Sequence, residues 1–235
     1  MEEIIKVKIH GNKLSSYCTM VQCALELKGV PYEFVEEDLA NKSQTLIQLN
    51  PVYKKVPVLV MDGKPPISES LVILEFIDEL WNDKDLLQLL PKDPYIRARI
   101  RFWAGFIYQK LVPYCYAIML SFGEEQEKAV QEFIENLSTL EEGLKKDFLS
   151  ERSSFVHGEK PGLLDVVIGC LSIAFKVLGK VAGAELLAKE RTPLLWSCTS
   201  AFVDLDIVKD LIPPHDTLLE GMIAKREKAR ASVGA

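Results

Sequence analysis

The chain has 235 residues, 48% hydrophobic and 26% charged, enough to bury one large core or two smaller ones and too apolar for a disordered chain. Its formal charge is −6 and no dense Lys/Arg run precedes the C-terminal tail, which excludes a general nucleic-acid binder. Five scattered cysteines and three histidines offer no metal-ligand spacing, and no apolar run approaches the ~18 residues of a membrane span, so the expected state is a reduced cytoplasmic protein without metal.

The start, Met1, Glu2 and Glu3, is acidic and has no signal-peptide apolar region. Residues 4–9 form a short β-type run. Residues 15–28 carry Cys18, Val21, Ala24 and Leu25 at helical spacing, and Gly29 stands where such a helix would end. Residues 32–35 predict a second strand and 41–49 a short helix. Two strands, 56–61 and 65–68, flank Asp62-Gly63, a hairpin signal. Residues 69–81 then repeat apolar positions at helical intervals. The order β-α-β-α-β-β-α predicts an α+β domain over residues 1–81.

Residues 82–94 are charged, carry Pro91 and Pro94 and show no period, so 82–93 reads as a linker. From 94 to 235 the pattern is helical throughout. A long aromatic-rich helix is predicted over 97–120 and a one-sided apolar stripe over 124–148. Residues 163–178 are nearly all apolar, as in a buried central helix. Further helices are predicted over 192–202 and 215–230, followed by a polar tail.

Several segments carry chemistry. Pro57 stands just before the apolar run Val58-Leu59-Val60, where it removes one ladder donor and leaves the Val56 backbone free to pair with something other than the sheet, such as an extended peptide. Ser15 opens the first helix, where outward-pointing N–H groups stabilise an anion, including a thiolate. Helix capping would employ Ser15 or Ser16 equally well. Glu69-Ser70 opens the third helix. Capping by Ser68 or Ser70 explains it. So does a zwitterionic amino-acid group, with its carboxylate on the Ser70 hydroxyl and amide and its ammonium on Glu69. Lys42 and Lys55 add positive charge, although each alone fits an ordinary solvated lysine. Together these groups describe a pocket for a small acidic peptide.

The motifs Gly-Val-Pro-Tyr-Glu (29–33), Glu-Glu-Asp-Leu (36–39), Asn-Lys-Ser (41–43), Asn-Pro-Val (50–52), Lys-Lys-Val-Pro-Val-Leu (54–59) and Glu-Ser (69–70) stand in an order and spacing that resembles the plant tau-class glutathione S-transferases. Ile-Arg-Phe-Trp-Ala (100–104) and Gly-Leu-Leu-Asp-Val-Val-Ile-Gly (162–169) resemble that class's second domain. The resemblance covers essentially the whole chain. It implies a thioredoxin-like N-terminal domain with Pro57 in cis and an all-α C-terminal domain over 94–235. It also implies glutathione as co-substrate, a homodimer, and transfer of the glutathione thiolate to apolar electrophiles.

By the same resemblance, Ser15 would stabilise the thiolate and Lys42 and Lys55 would hold the glycyl carboxylate side. The Val56 backbone would pair with the cysteinyl backbone, and Glu69 and Ser70 would hold the γ-glutamyl end. Lowering a thiol pKa by one or two units raises its thiolate roughly ten- to a hundredfold at neutral pH. An apolar acceptor pocket is expected from Leu14, Trp103, Phe106, Tyr114 and Phe202, residue types that equally suit a core. Asp165, in a Gly-x-x-Asp segment, is expected to serve folding and capping.

One segment departs from the family, whose Ser-Pro-Phe-Ser-Arg-Arg is here Ser15-Ser16-Tyr17-Cys18-Thr19-Met20. Losing the proline is expected to loosen the turn that aims the serine, and losing the arginines removes positive charge. Cys18 lies where redox relatives of the fold place a second cysteine, and a helix-start thiol can have a lowered pKa, although a small buried residue on the first helix is the simpler reading. Two other activities therefore stand beside conjugation: a non-catalytic carrier of apolar ligands such as flavonoids, and a glutathione-dependent peroxidase or thiol transferase using Cys18.

Overall fold

The computed structural model describes residues 6–83, 85–148 and 154–233, in two compact units, residues 1–90 with 206–212 and residues 91–205 with 213–235. The first unit is built on a four-stranded sheet of order β2-β1-β3-β4, from β1 (Val7–Gly11), β2 (Glu33–Glu36), β3 (Val58–Met61) and β4 (Ile67–Ser68). The parallel pair β1–β2 requires a crossover, which α1 (Ser16–Leu27) supplies. β3 runs antiparallel to β1 and β4 antiparallel to β3. The Lys64 N–H donates to the Met61 carbonyl at 3.1 Å and Gly63 sits at φ +69, so Asp62-Gly63 forms the expected turn.

The first strand begins later than the apolar run 4–9 suggests, and Ile4 and Ile5 lie outside the described residues. α1 buries Met20, Val21, Ala24 and Leu25 and stops at Gly29, where the Gly29 N–H donates to the Glu26 carbonyl and the Val30 N–H to that of Leu25. α2 (Gln44–Leu49) is capped by the Ser43 hydroxyl, which accepts the Leu46 N–H at 2.9 Å. α3 (Ser70–Leu80) buries Ile73, Leu74 and Ile77 and packs against α1.

A buried ion pair ties these pieces together. Lys28 Nζ lies 2.7 Å from Asp78 Oδ1 and also donates to the Trp81 carbonyl, while the Asp78 carboxylate accepts the N–H groups of Leu89 and Leu90. A short helix from late in the chain, Asp206–Lys209, packs on α1 and buries Val208; four residues are too few for periodicity to reveal.

The second unit is helical. Where one helix is predicted over 97–120, the structure has α4 (Pro94–Phe106), a π-helical turn (Ile107–Leu111) and α5 (Val112–Leu120). The Val112 N–H reaches back five residues to the Ile107 carbonyl, and Pro113, which has no N–H to give, follows directly. The earlier start comes from Asp93, whose side chain accepts the Ile96 N–H, with Pro94 in the first helical turn. α6 (Glu124–Phe148) buries Phe133, Leu137, Leu140 and Leu144 along one stripe. α7 (Leu163–Ala182) is the central buried helix. α8 (Pro193–Val203), α9 (the short Asp206–Lys209 helix of the first unit) and α10 (His215–Val233) complete the order. Among the described residues no helix is long and apolar enough to cross a membrane.

Candidate functional site

The strand register gathers the expected peptide-binding residues. Gly11 pairs with Glu36, His10 with Val58, and Val58 with Ser68. The C-terminal ends of β1, β2 and β4 and the N-terminal end of β3 therefore share one end of the sheet. From that end leave the loop to Ser15, the segment that carries Lys42, and the turn into Glu69 and Ser70. Lys55 and Val56 arrive at the same end from α2.

Ser15 stands at the N-cap of α1 with extended backbone, φ −97 and ψ 111, but its side chain makes no cap bond. Its carbonyl accepts the Cys18 and Thr19 N–H groups, so the backbone enters the helix while the hydroxyl takes no part in capping. The Val56–Pro57 bond is cis, in agreement with expectation, and Val56 precedes the first paired residue of β3 by two positions. Lys42 and Lys55 are exposed. The buried Asn50 fixes the approach to Lys55: its Nδ2 donates to the Lys55 carbonyl at 3.0 Å and its Oδ1 accepts the Tyr53 N–H at 3.2 Å.

Glu69 holds the N-cap of α3 at φ +74 and ψ 113, in the left-handed half of φ space that favours glycine, and makes no side-chain cap bond. Such a conformation costs on the order of 1–3 kcal/mol and persists where the surroundings impose it. Its carboxylate is exposed, whereas Ser70 beside it is buried. Neither Ser68 nor Ser70 is the cap, so capping does not account for the pair.

Cys18 is a small buried residue of α1 rather than a redox thiol. It is fully buried, and burial pushes its thiol pKa up despite the Asn12 N–H and the Ser15 side chain, which favour the thiolate. Desolvation outweighs the helix start, and a low-pKa redox thiol does not form here.

Two expected acceptor residues are core residues. Phe202 is fully buried and its ring occupies the space a Cβ on Gly169 would take, 2.2 Å from that position. Trp103 lies over Gly143, and its Nε1 donates to Asp147 at 2.6 Å, which binds α4 to α6. Helical spacing cannot separate a pocket wall from a core. Leu14 is exposed, and Phe106 and Tyr114 are half-buried. Phe106 packs edge-on against Trp103, and the Tyr114 hydroxyl donates to Glu132 at 3.3 Å. Asp165 behaves as expected: it accepts the N–H groups of Val156 and Gly162 at 2.8 and 2.9 Å and so ties down the start of α7.

Sequence reasoning misses Asn12, Glu36 and Asn50 as organisers of this end of the sheet. Asn50 lies within a recognised motif, but its side-chain partners appear only in three dimensions. A shallow groove bordered by Gln22, Glu26, Val30 and Tyr32 lies near the start of β2, at the other end of the sheet.

Residues 14–80 match the family model for the glutathione S-transferase N-terminal domain. Glutathione S-transferase U10 of Arabidopsis thaliana is 42% identical over 97% of the chain and 96% of its own length. Glutathione transferase GST 23 of Zea mays is 44% identical over 94% of the chain and 96% of its own length. The crystal structure of a tau-class glutathione S-transferase from mango, Mangifera indica, superposes with a TM-score of 0.85 at 38% identity, covering 93% of this chain and 97% of that one. Rice GST1 in complex with glutathione also gives a TM-score of 0.85, at 29% identity over 96% of this chain and 98% of that one. The fold is that of a thioredoxin-like domain joined to an all-α domain. The chain belongs to the tau class of the glutathione S-transferases and is accordingly an enzyme of glutathione conjugation.

Proposed function

We propose that this transferase holds glutathione along the end of the sheet where β1, β2 and β4 finish and β3 begins. Ser15 stabilises the thiolate, and the Val56 backbone pairs with the cysteinyl backbone. Lys42 and Lys55 hold the glycyl carboxylate, and Glu69 and Ser70 hold the γ-glutamyl end. The thiolate then forms a carbon–sulfur bond to an apolar electrophile and displaces its leaving group, chloride in the case of a chlorinated aromatic, with Leu14, Phe106 and Tyr114 as acceptor contacts. Residues 1–81 serve as the glutathione-binding domain, 82–93 as linker and 94–235 as the acceptor domain, in a cytoplasmic homodimer.

The observation that carries this reading is the strand register, which supports a single site for Ser15, Lys42, Val56 and Glu69. The Ser15 hydroxyl, at a helix N-terminus and not engaged in capping, supports a thiolate-stabilising role. Burial of Cys18 argues against thiol transfer through that residue.

The test is Ser15→Ala, assayed with glutathione and a chlorinated aromatic acceptor. Loss of the hydroxyl should lower kcat/KM by about 10- to 100-fold, as for a thiol pKa that rises by one or two units. Glutathione affinity by calorimetry should change far less. Unchanged turnover would remove Ser15 from the mechanism.

A further inference from the structure

The loop between β1 and α1 is tightly tied. Asn12 commits every polar group it has. Its Nδ2 donates at 3.1 Å both to Glu36 Oε1 and to the Glu37 carbonyl, at the end of β2. Its Oδ1 accepts the Leu14 N–H at 3.1 Å, and its own N–H points to Cys18 Sγ at 3.4 Å. Its carbonyl accepts the Ser15 N–H at 3.0 Å. Glu36 Oε1 also accepts the Lys13 N–H at 3.2 Å. The anchor beneath is fixed as well, since the Glu37 N–H donates to the Gly11 carbonyl at 2.7 Å and the buried Glu37 carboxylate meets His10 Nδ1 at 2.8 Å.

We infer that Asn12, braced by Glu36, is the positioning residue for Ser15: its side chain ties the loop to the end of β2 and so aims the serine hydroxyl at the glutathione sulfur. The inference rests on Ser15 being the thiolate-stabilising residue. Asn12 does not itself need to touch glutathione. The asparagine fixes the turn by cross-linking the loop to a neighbouring strand. Misplacing a catalytic group by about 1 Å can cost on the order of 100-fold in rate, so the clamp should be visible in catalysis rather than in binding.

The experiment reads the thiol pKa of bound glutathione, from the ultraviolet thiolate signal and from the pH profile of kcat/KM, in Asn12→Ala, Asn12→Asp and Ser15→Ala. Asn12→Ala should raise that pKa and lower kcat by about 10-fold or more, with glutathione affinity within a few-fold of the parent. Asn12→Asp keeps the acceptor for Leu14 but faces Glu36 with a second carboxylate, and should behave like Asn12→Ala. Adding Glu36→Gln to Asn12→Asp lets the new amide at position 36 donate to the carboxylate at position 12, in the reverse sense, and should recover part of the lost rate, the bond to the Glu37 carbonyl staying lost; general destabilisation would not be rescued this way. If Ser15→Ala shifts the bound-thiol pKa while both Asn12 variants leave it unmoved, the positioning role is overturned and the reading of Ser15 stands. If Ser15→Ala leaves it unmoved, the Ser15 reading falls and this inference with it.

Discussion

Glu69 shows how a residue can be held against its own preference. A glutamate at φ +74 is strained where glycine would not be, and nothing in the capping geometry compensates, because its side chain makes no cap bond. Its exposed carboxylate is instead placed at the start of α3, beside buried Ser70. A strained residue kept for ligand binding should trade stability for affinity when replaced. Glu69→Gly keeps the backbone carbonyl that accepts the Ile73 N–H and relieves the φ strain. The melting temperature should stay level or rise, by a stabilisation of up to about 1 kcal/mol, while glutathione binding by calorimetry weakens about tenfold, as expected for loss of a charge-assisted contact. A drop in stability with unchanged affinity would make Glu69 a purely structural residue.

At the scale of elements, much is legible in the sequence and the gaps have physical causes. The β-α-β-α-β-β-α order, the Gly29 stop, the Asp62-Gly63 turn and the stripe of α6 all follow from local periodicity and turn chemistry. The π turn before Pro113 does not, because the helical period runs through it unbroken. The Lys28–Asp78 pair is equally hidden: it joins α1 to α3 across fifty residues and depends on packing, not on spacing. Ser15 and Glu69 are visible as helix starts, whereas Asn12 and Asn50 become visible only through their partners. Trp103 and Phe202 read as acceptor-pocket residues because an apolar aromatic on a helix gives the same signal in a pocket wall and in a core. Phe202 lies so close to Gly169 that α7 and α8 meet through that glycine. In an isolated helix Gly→Ala would stabilise by about 1 kcal/mol. Here the added methyl must displace a fully buried ring, so Gly169→Ala should destabilise by about 1–3 kcal/mol in denaturant unfolding. A gain in stability would show that α8 can move away freely.

For the molecule as a whole, the response of folding to pH includes contributions of opposite sign from two groups in the helical unit, half-buried His157 and buried Asp165. Burial lowers the pKa of His157 to about 4 from 6.5, and its Nε2 has no hydrogen-bond partner among the described residues. Between those values the unfolded chain binds a proton that the folded one refuses, so this group's contribution is complete above pH 6.5 and is lost as pH falls towards 4. Burial raises Asp165 to about 7 from 3.8, against the Val156 and Gly162 N–H groups that favour its carboxylate. There the folded state holds the extra proton, and stability is greatest below 3.8 and declines as pH rises towards 7. The two slopes oppose each other across the window from about 4 to 6.5, and each amounts to about 1.4 kcal/mol per pH unit at most. His157→Phe keeps an aromatic ring for its edge-on contact with Phe148 and removes only the base. Relative to the parent, its stability should therefore increase on acidification from about pH 6.5 to about 4.5, by about 2–3 kcal/mol. Asp165→Asn should show the opposite change, losing stability relative to the parent over the same window, on top of a pH-independent loss from the disturbed bonds to the Val156 and Gly162 N–H groups. Denaturant midpoints at about pH 4.5, 5.5 and 6.5 measure both. Parallel pH profiles for parent and His157→Phe would mean that the imidazole is solvated in the folded chain and that burial does not govern its charge.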